Sequence, residues 1–407
     1  MNFYFKLAWR NSLRNKRRTF LAALAVGLGL AGLIFTDAIS YGMLDGLINT
    51  ATGTFMGQAQ VHRRGFLDTA DADLQVADGP ALLKKLGADP LVAAYAPRTL
   101  SFAMISSPAN AGSAMVYGVD PAAERRVSRL ARAVPAGDFL AGEGDLIVLG
   151  SVLAETLEVG LGDKVVLTAA AAGGGDLAQA MFRVGGILKS GSRAMDSNLA
   201  FIRFDKAQRL LNLRSGLHEI AVVFKDPASA ENTALPFWRE YGAGGNEAKG
   251  WPELIPELAA AREMTAFGIF ITALILSGIV ALGVTNTLFM SLYERMFEFG
   301  VLRAVGTRPA RMGLLIVSEA AALGLFSAAA GAALGWLACA LVGIRGLDYT
   351  GVDFAGVSMV EPIRPLLRPE QYYIYPAALL AFTLLVSLYP ALYAARMNPV
   401  KAMRKSL

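Results

Sequence analysis

Residues 293–312 read YERMFEFGVLRAVGTRPARM and lie between two long apolar runs. The stretch is too charged to enter lipid and too short to fold alone. Plotted at 100° per residue, Phe297, Val301, Ala304 and Val305 gather on one side of a helix, with Glu294 and Glu298 at its edge. Arg295, Phe299, Leu302 and Arg303 gather on the other. Such a helix can pack under its own bundle with one side and offer aromatics and guanidiniums to a second protein with the other. Gly306 can end it, and Pro309 prevents smooth continuation. The plainer alternative is a connecting loop that happens to be helical.

The flanking runs set the frame. The 407 residues are 54% hydrophobic and only 17% charged, which marks a membrane protein with a sizeable water-exposed part. Four segments have the roughly 20 apolar residues that a membrane helix needs: 19–44, 266–292, 312–342 and 374–395. The first is too long for a signal-peptide core and reads as an uncleaved anchor. Segments 1–18, 293–311 and 396–407 together carry 14 basic and 2 acidic residues, whereas 45–263 carries 21 basic and 25 acidic. The positive-inside rule then puts both termini and the 293–311 loop in the cytoplasm, and 45–263 and the 343–373 loop outside. The basic excess is a topology signal, so no nucleic-acid partner is expected. Segment 1–18 reads as an amphipathic helix lying at the cytoplasmic membrane surface.

Region 45–263 alternates strand-like runs, such as 94–106, 113–119, 163–169, 181–189 and 218–224, with short helical patterns. The expected fold is an α-helical membrane protein with four transmembrane helices and a large α+β domain between helices 1 and 2. Residues 242–250 (GAGGNEAKG) read as a flexible link. Residues 252–264 read as a stalk extending the second span. The hairpin 168–182, with Gly173, Gly174, Gly175 and Asp176 at its tip, is either a floppy turn or a docking point for a soluble partner. No nucleophile–base set appears, and the two histidines, His62 and His218, read as structural. No Cys/His cluster has metal-ligand spacing. Asp37 and Glu319 lie within apolar runs: Glu319 should bond a neighbouring helix, while Asp37 reads as interfacial. Gly331 and Gly335, like Gly27 and Ala31, are spaced for close helix packing.

EFGVLRAVGTRPARM (298–312) resembles the coupling-helix region of the FtsX/MacB/LolC-LolE-type (type VII) ABC transporter permeases. An acid, a glycine, a small residue and a second glycine recur there at the spacing of Glu298, Gly300, Ala304 and Gly306. LAWRNSLRNKRRTFLAAL (7–24), SEAAALGLFSAAAGAALGW (318–336) and YPALYAARMNPVKAMR (389–404) are similar to that family's start, third span and exit. Within it, MVYGVDPAAERRVSRL (115–130) and GDLIVLGSVLAETLEVGLGDKVVLTA (144–169) resemble the lipoprotein-releasing permeases. The resemblance covers nearly the whole chain.

The resemblance implies a permease subunit, not an enzyme, driven by a separate cytoplasmic ABC ATPase dimer that binds ATP and Mg. The chain itself has no G-x-x-x-x-G-K-[ST] phosphate loop. Coupling to the ATPase would fall on Glu298, Gly300, Val301, Arg303, Ala304 and Gly306. The further partners implied are a second permease chain, the same or paralogous, a lipoprotein substrate and a periplasmic lipoprotein carrier. The setting implied is the bacterial inner membrane, with mechanotransmission from ATPase to outer domain. An acylated substrate would enter between the outer ends of spans one and two, beside Phe35, Ile39, Met43, Phe267 and Phe270. The segment matching 168–182 carries a carrier-docking hook in one of the two permeases. Here it is rich in alanine and glycine, so the chain also fits the non-hook partner or a homodimer. A MacB-like efflux permease and an FtsX-like regulator of a periplasmic hydrolase remain as alternatives.

Overall fold

A computed structural model describes residues 16–142, 144–174, 176–354, 357–359 and 361–397. Gly175, nearly all of segment 1–18 and most of the 396–407 tail lie outside these residues. The chain divides into two compact units, residues 1–43, 262–348 and 362–407 in one, and 44–261 and 349–361 in the other.

The first unit is helical. Its long helices belong to Lys16–Ala51, Pro256–Glu294, Pro309–Arg345 and Pro369–Ala395, here called the first to fourth span helices. Each is long and apolar enough to cross a membrane. Three of them begin at a proline, whose missing N–H costs nothing in the first turn. The first and third cross backbone to backbone: a Cβ on Gly331 would sit 2.6 Å from the carbonyl oxygen of Gly27. In lipid, that closeness supplies the dispersion energy that a hydrophobic driving force supplies in water. Val284, Leu288, Leu292, Leu315, Ile316, Ala320 and Ala394 form one buried apolar cluster of this unit.

The 362–366 end of the 343–373 connection lies against the first span helix. Leu347 bridges to Ile363, and the Leu366 N–H donates to the Ala38 carbonyl at 2.8 Å. A Cβ on Gly42 would meet the Arg364 carbonyl oxygen at 2.0 Å, so the strap lies directly on that glycine.

The second unit is the inserted α+β domain. Its strands are β1 (Ala59–Arg63), β2 (Val92–Ser106), β3 (Ala111–Val119), β4 (Ala136–Gly137), β5 (Leu146–Gly150), β6 (Lys164–Ala170), β7 (Leu177–Leu188), β8 (Leu199–Arg203), β9 (Glu219–Phe224) and β10 (Asn246–Gly250). β3 pairs β8, β8 pairs β5, β5 pairs β7, β7 pairs β6, and β6 returns to β2, which pairs β3. This ring is a six-stranded closed barrel, with no free edge along the ring. Alternation puts Ile105, Val116, Ile147, Leu149, Val165, Leu167, Phe182 and Ile202 in its core, together with Leu153 from a flanking helix and Leu211 just past the end of another. The first half of β2 instead pairs β9, and β9, β1 and β10 continue outward as an antiparallel sheet.

Residues 246–250 are therefore strand, not the flexible link read from their composition. Their polarity hides the pairing, which runs from Arg63↔Asn246 to Ala59↔Gly250. The Asn246 side chain also ties down the 77 backbone, accepting from Ala77 N at 2.9 Å and donating to Ala77 O at 3.1 Å. The stalk segment is likewise interrupted: Trp251–Leu254 is a separate turn, and the second span helix starts at Pro256.

Candidate functional site

The quoted stretch forms a helix over Met296–Ala304. Its end is fixed by backbone bonds: Thr307 N–H donates to Leu302 O at 3.0 Å and Gly306 N–H to Arg303 O at 3.1 Å. This double closure needs a left-handed residue, which Gly306 supplies at φ 96°. Phe299 and Gly300 are buried, and Phe299 joins the cluster containing Leu292, Met312 and Ile316. Phe297, Glu298, Val301, Leu302, Ala304, Val305 and Gly306 are exposed. The aromatic that the helical plot sets beside Leu302 and Arg303 is thus the anchor, and Leu302 opens outward.

Charge holds the helix start. Arg295 donates to Glu319 at 2.5 Å and to Glu298 at 3.0 Å, and its guanidinium stands 5.2 Å from the Phe299 ring. Arg303 is half-buried and donates to the Thr307 carbonyl at 3.2 Å. The result is a short helix pinned on one side by Phe299 and Arg295, with a mixed apolar and acidic face left open.

Asp37 is buried within the protein, 1% exposed. Arg368 donates to both its oxygens, at 3.0 and 2.7 Å, and Gln371 donates at 2.6 Å. The Arg368 guanidinium also lies 3.9 Å from the Tyr41 ring. The first and fourth span helices are thus clamped at one end. An acid within an apolar run demands a base, and Arg368, just ahead of the fourth run, was the signal available for it.

Of the residues placed beside the expected acyl chains, Phe35 packs against the cluster of Leu30, Ile34, Ala38 and Cys339. Ile39 and Met43 are half-buried. Phe267 and Phe270, 66% and 62% exposed, lie on an open face of the second span helix.

In the inserted domain the β6–β7 tip is tethered. Gly173 N–H donates to Asp73 Oδ1 at 2.7 Å, Ala172 N–H to Leu211 O at 3.0 Å and Ala171 N–H to Asp176 O at 2.9 Å. Gly173, Gly174 and Asp176 are exposed. Beside the tip, the outer face of the barrel bares Phe102, Met104, Leu177 and Met181.

The interior of this domain holds an ion cluster that strand patterning alone does not reveal. Arg98 is fully buried and donates to Glu124 at 3.0 and 2.7 Å and to Glu219 at 2.6 Å. Its guanidinium lies 4.0 Å from the Phe55 ring. Burial works against its charge, but the two carboxylates more than reverse this and hold it protonated. Glu219 is the mirror case: burial pushes its carboxyl up, and Arg98 pulls it below the usual range. His218 accepts from Leu100 N–H at Nδ1 and meets the Ala72 carbonyl at Nε2, both at 3.0 Å. The neutral Nε2–H tautomer satisfies both bonds, and burial lowers its pKa. Among the described residues, no three His, Cys, Asp or Glu side chains group as metal ligands.

Two family models match this chain. The MacB-like periplasmic core domain covers residues 19–234, and the FtsX-like permease C-terminal domain covers residues 269–399. The chain belongs to the MacB/FtsX family of ABC transporter permeases. Over nearly its full length it is similar to two lipoprotein-releasing system transmembrane proteins. LolC of Neisseria meningitidis serogroup B is 23% identical over 429 residues, covering 96% of this chain and 97% of the relative. LolE of Haemophilus influenzae is 22% identical over 424 residues, covering 99% of each. An uncharacterized ABC transporter permease of Methanocaldococcus jannaschii is 25% identical over 240 residues, 55% of each chain. Among solved structures, the periplasmic region of MacB from Actinobacillus actinomycetemcomitans superposes with a TM-score of 0.36 at 14% identity, over 49% of this chain and 92% of that one. The extracellular domain of the transporter YknZ from Gram-positive bacteria gives 0.33 at 14%, over 47% and 98%.

Proposed function

We propose that this chain is the permease subunit of a mechanotransmission ABC transporter that extracts lipoproteins from the outer leaflet of the inner membrane and passes them to a periplasmic carrier. Similarity to lipoprotein-releasing proteins along 96–99% of the chain carries the reading. The lysine and arginine distribution supports cytoplasmic termini and a periplasmic inserted domain.

The Met296–Ala304 helix receives the ATPase. Its anchored side passes a push into the bundle through Phe299 and the Arg295–Glu319 pair, while Glu298, Val301, Ala304 and Gly306 face the partner. The ATPase dimer binds the ATP and Mg and supplies the work. That work is needed because each buried CH₂ of an acyl chain is held in the membrane by about 0.8 kcal/mol. The apolar barrel face at Phe102, Met104, Leu177 and Met181, beside the tethered Gly173–Gly174 tip, receives the carrier. Phe35, Ile39, Met43, Phe267 and Phe270 contact the acyl chains. A second permease chain, the same or paralogous, completes the complex.

Depletion of this protein tests the reading. Spheroplasts lacking it should retain outer-membrane lipoproteins in the inner membrane. Normal sorting in such cells rejects it.

A further inference from the structure

Residues 125–132 read RRVSRLAR, four arginines in eight positions, within a region (45–263) that carries more acids than bases. They run from the short helix Pro121–Val127 into the turn Leu130–Ala133. Ala123, Glu124, Val127, Ser128 and Leu130 are buried, whereas Arg125, Arg126, Arg129 and Arg132 are exposed. One side of the segment therefore packs inward, and the other is a row of guanidiniums. Nearby acids do little to neutralise it. Glu124 is engaged by the buried Arg98, and Asp120 caps the helix by accepting from Ala122 N–H at 3.0 Å. Arg129 meets Glu361 at 3.6 Å, an exposed pair of the kind that contributes little. Arg125, Arg126 and Arg132 make no ion pair among the described residues.

The row is fixed to the end of the first span helix. Arg129 N–H donates to the Gly53 carbonyl at 2.9 Å, and Leu130 shares a buried apolar cluster with Phe55. Gly53 and Phe55 belong to the turn Thr52–Met56, which follows that helix directly. Gly53 comes nine residues after the first apolar run, so a helical chain holds it within about 14 Å of that run. The headgroup layer fills about 5–8 Å of this distance. Arginine stems are long enough to reach back toward it. Glu361 adds a second tether, because it lies in the connection between the third and fourth span helices. Tyr349, Val352 and Phe354 of the same connection are exposed. Such apolar and aromatic side chains, together with bases, are the composition of segments that sit at a lipid surface.

From this placement we infer that Arg125, Arg126, Arg129 and Arg132 dock the inserted domain on the phosphate groups of anionic lipids, in the leaflet at that end of the first span helix. Each guanidinium fork matches two phosphate oxygens. The net acidic remainder of the domain is repelled by the same surface, so the row selects the side that turns to the membrane. This surface does not rest on the lipoprotein reading.

Short-range quenching in nanodiscs tests it on the full chain. The single native thiol is removed by Cys339→Ser, and a fluorophore is attached through Ala122→Cys, an exposed position on the arginine helix. Each nanodisc carries the same fraction of headgroup-spin-labelled phosphatidylcholine in a bulk of either phosphatidylcholine or phosphatidylglycerol. The expected result is about twofold stronger quenching in phosphatidylglycerol, returning to the phosphatidylcholine level in about 0.5 M sodium chloride. Arg125→Gln, Arg126→Gln and Arg132→Gln combined should remove the gain without lowering the melting temperature, since all three positions are exposed. Equal quenching in the two lipids, a gain that survives salt, or a gain kept by the triple variant overturns the proposal. Equal quenching combined with capture of a soluble acidic protein by the row would assign it to that partner instead.

Discussion

Arg295 holds Glu319 at 2.5 Å, joining the residue ahead of the short helix to the third span helix. Both side chains are largely buried, at 16% and 7% exposure. Arg295→Ala would take the guanidinium away from a buried carboxylate, at a cost of about 3 kcal/mol. Glu319→Gln should cost less, since the amide keeps an acceptor for Arg295. The double variant should recover part of the Arg295→Ala loss, a coupling that a double-mutant cycle on detergent-solubilised protein would read as a change in thermal stability. Simple additivity of the two effects would count against the pair.

Stability and coupling should separate on the two sides of that helix. Phe299→Ala empties a packed position and should destabilise by about 3–5 kcal/mol. Val305, 82% exposed, can be truncated to alanine within about 0.5 kcal/mol. If the open face meets an ATPase, Val301→Asp and Val305→Asp should cut permease-stimulated ATP hydrolysis while the melting temperature stays put. Equal stimulation in wild type and variants would remove that face from the interface.

The strap over the first span helix should be sensitive at Gly42 and Asp37. Gly42→Ala places a methyl group 2.0 Å from the Arg364 carbonyl, so the strap must lift. Asp37→Asn weakens the charge-assisted bonds to Arg368 and Gln371. Both variants should speed limited proteolysis within 343–373 relative to wild type. An unchanged cleavage rate in both would show that the strap is held elsewhere.

Acid should loosen the inserted domain in two stages with the same sign. His218 titrates lower in the folded state than the usual value near 6.5, so the fold favours its neutral form. Its contribution is complete above about pH 6.5 and declines as pH falls from there toward the folded value. Glu219 is held below the usual carboxylate range near 4.3, so its contribution is present above that pH and is lost as pH falls through the folded value. Melting temperatures followed by tryptophan fluorescence should therefore fall from pH 7 to pH 5, then again below pH 4. His218→Asn should flatten the upper decline and leave the lower one. A stability profile flat from pH 7 to 4 would contradict both assignments.

The four spans and the short helix were legible because lipid imposes one rule, about 20 apolar residues per crossing, and the charges stand in the connections. The strands of the barrel were legible from alternation, as in AYAPRTLSFAMIS, which lies within β2. Their closure was not, because which strands pair depends on non-local register such as Ala103↔Ala169. β10 escaped because NEAKG is polar on both faces, yet it covers the edge of β1. The inward turn of Phe299 escaped because a helical plot separates two faces without saying which one the bundle takes. The Asp37–Arg368 clamp joins residues 331 positions apart, so only the rarity of an intramembrane acid pointed to it. Arg98, Glu124 and Glu219 escaped because each reads singly as a solvated charge.

The most direct test reconstitutes this chain with the proposed second permease chain and ABC ATPase in proteoliposomes loaded with a triacylated lipoprotein, and measures lipoprotein released to a soluble carrier on adding ATP. The expected result is ATP-dependent release that stops when residues 301–306 are scrambled, with the complex still assembled on the membrane. Vigorous ATP hydrolysis with no lipoprotein released by the wild-type complex would contradict it.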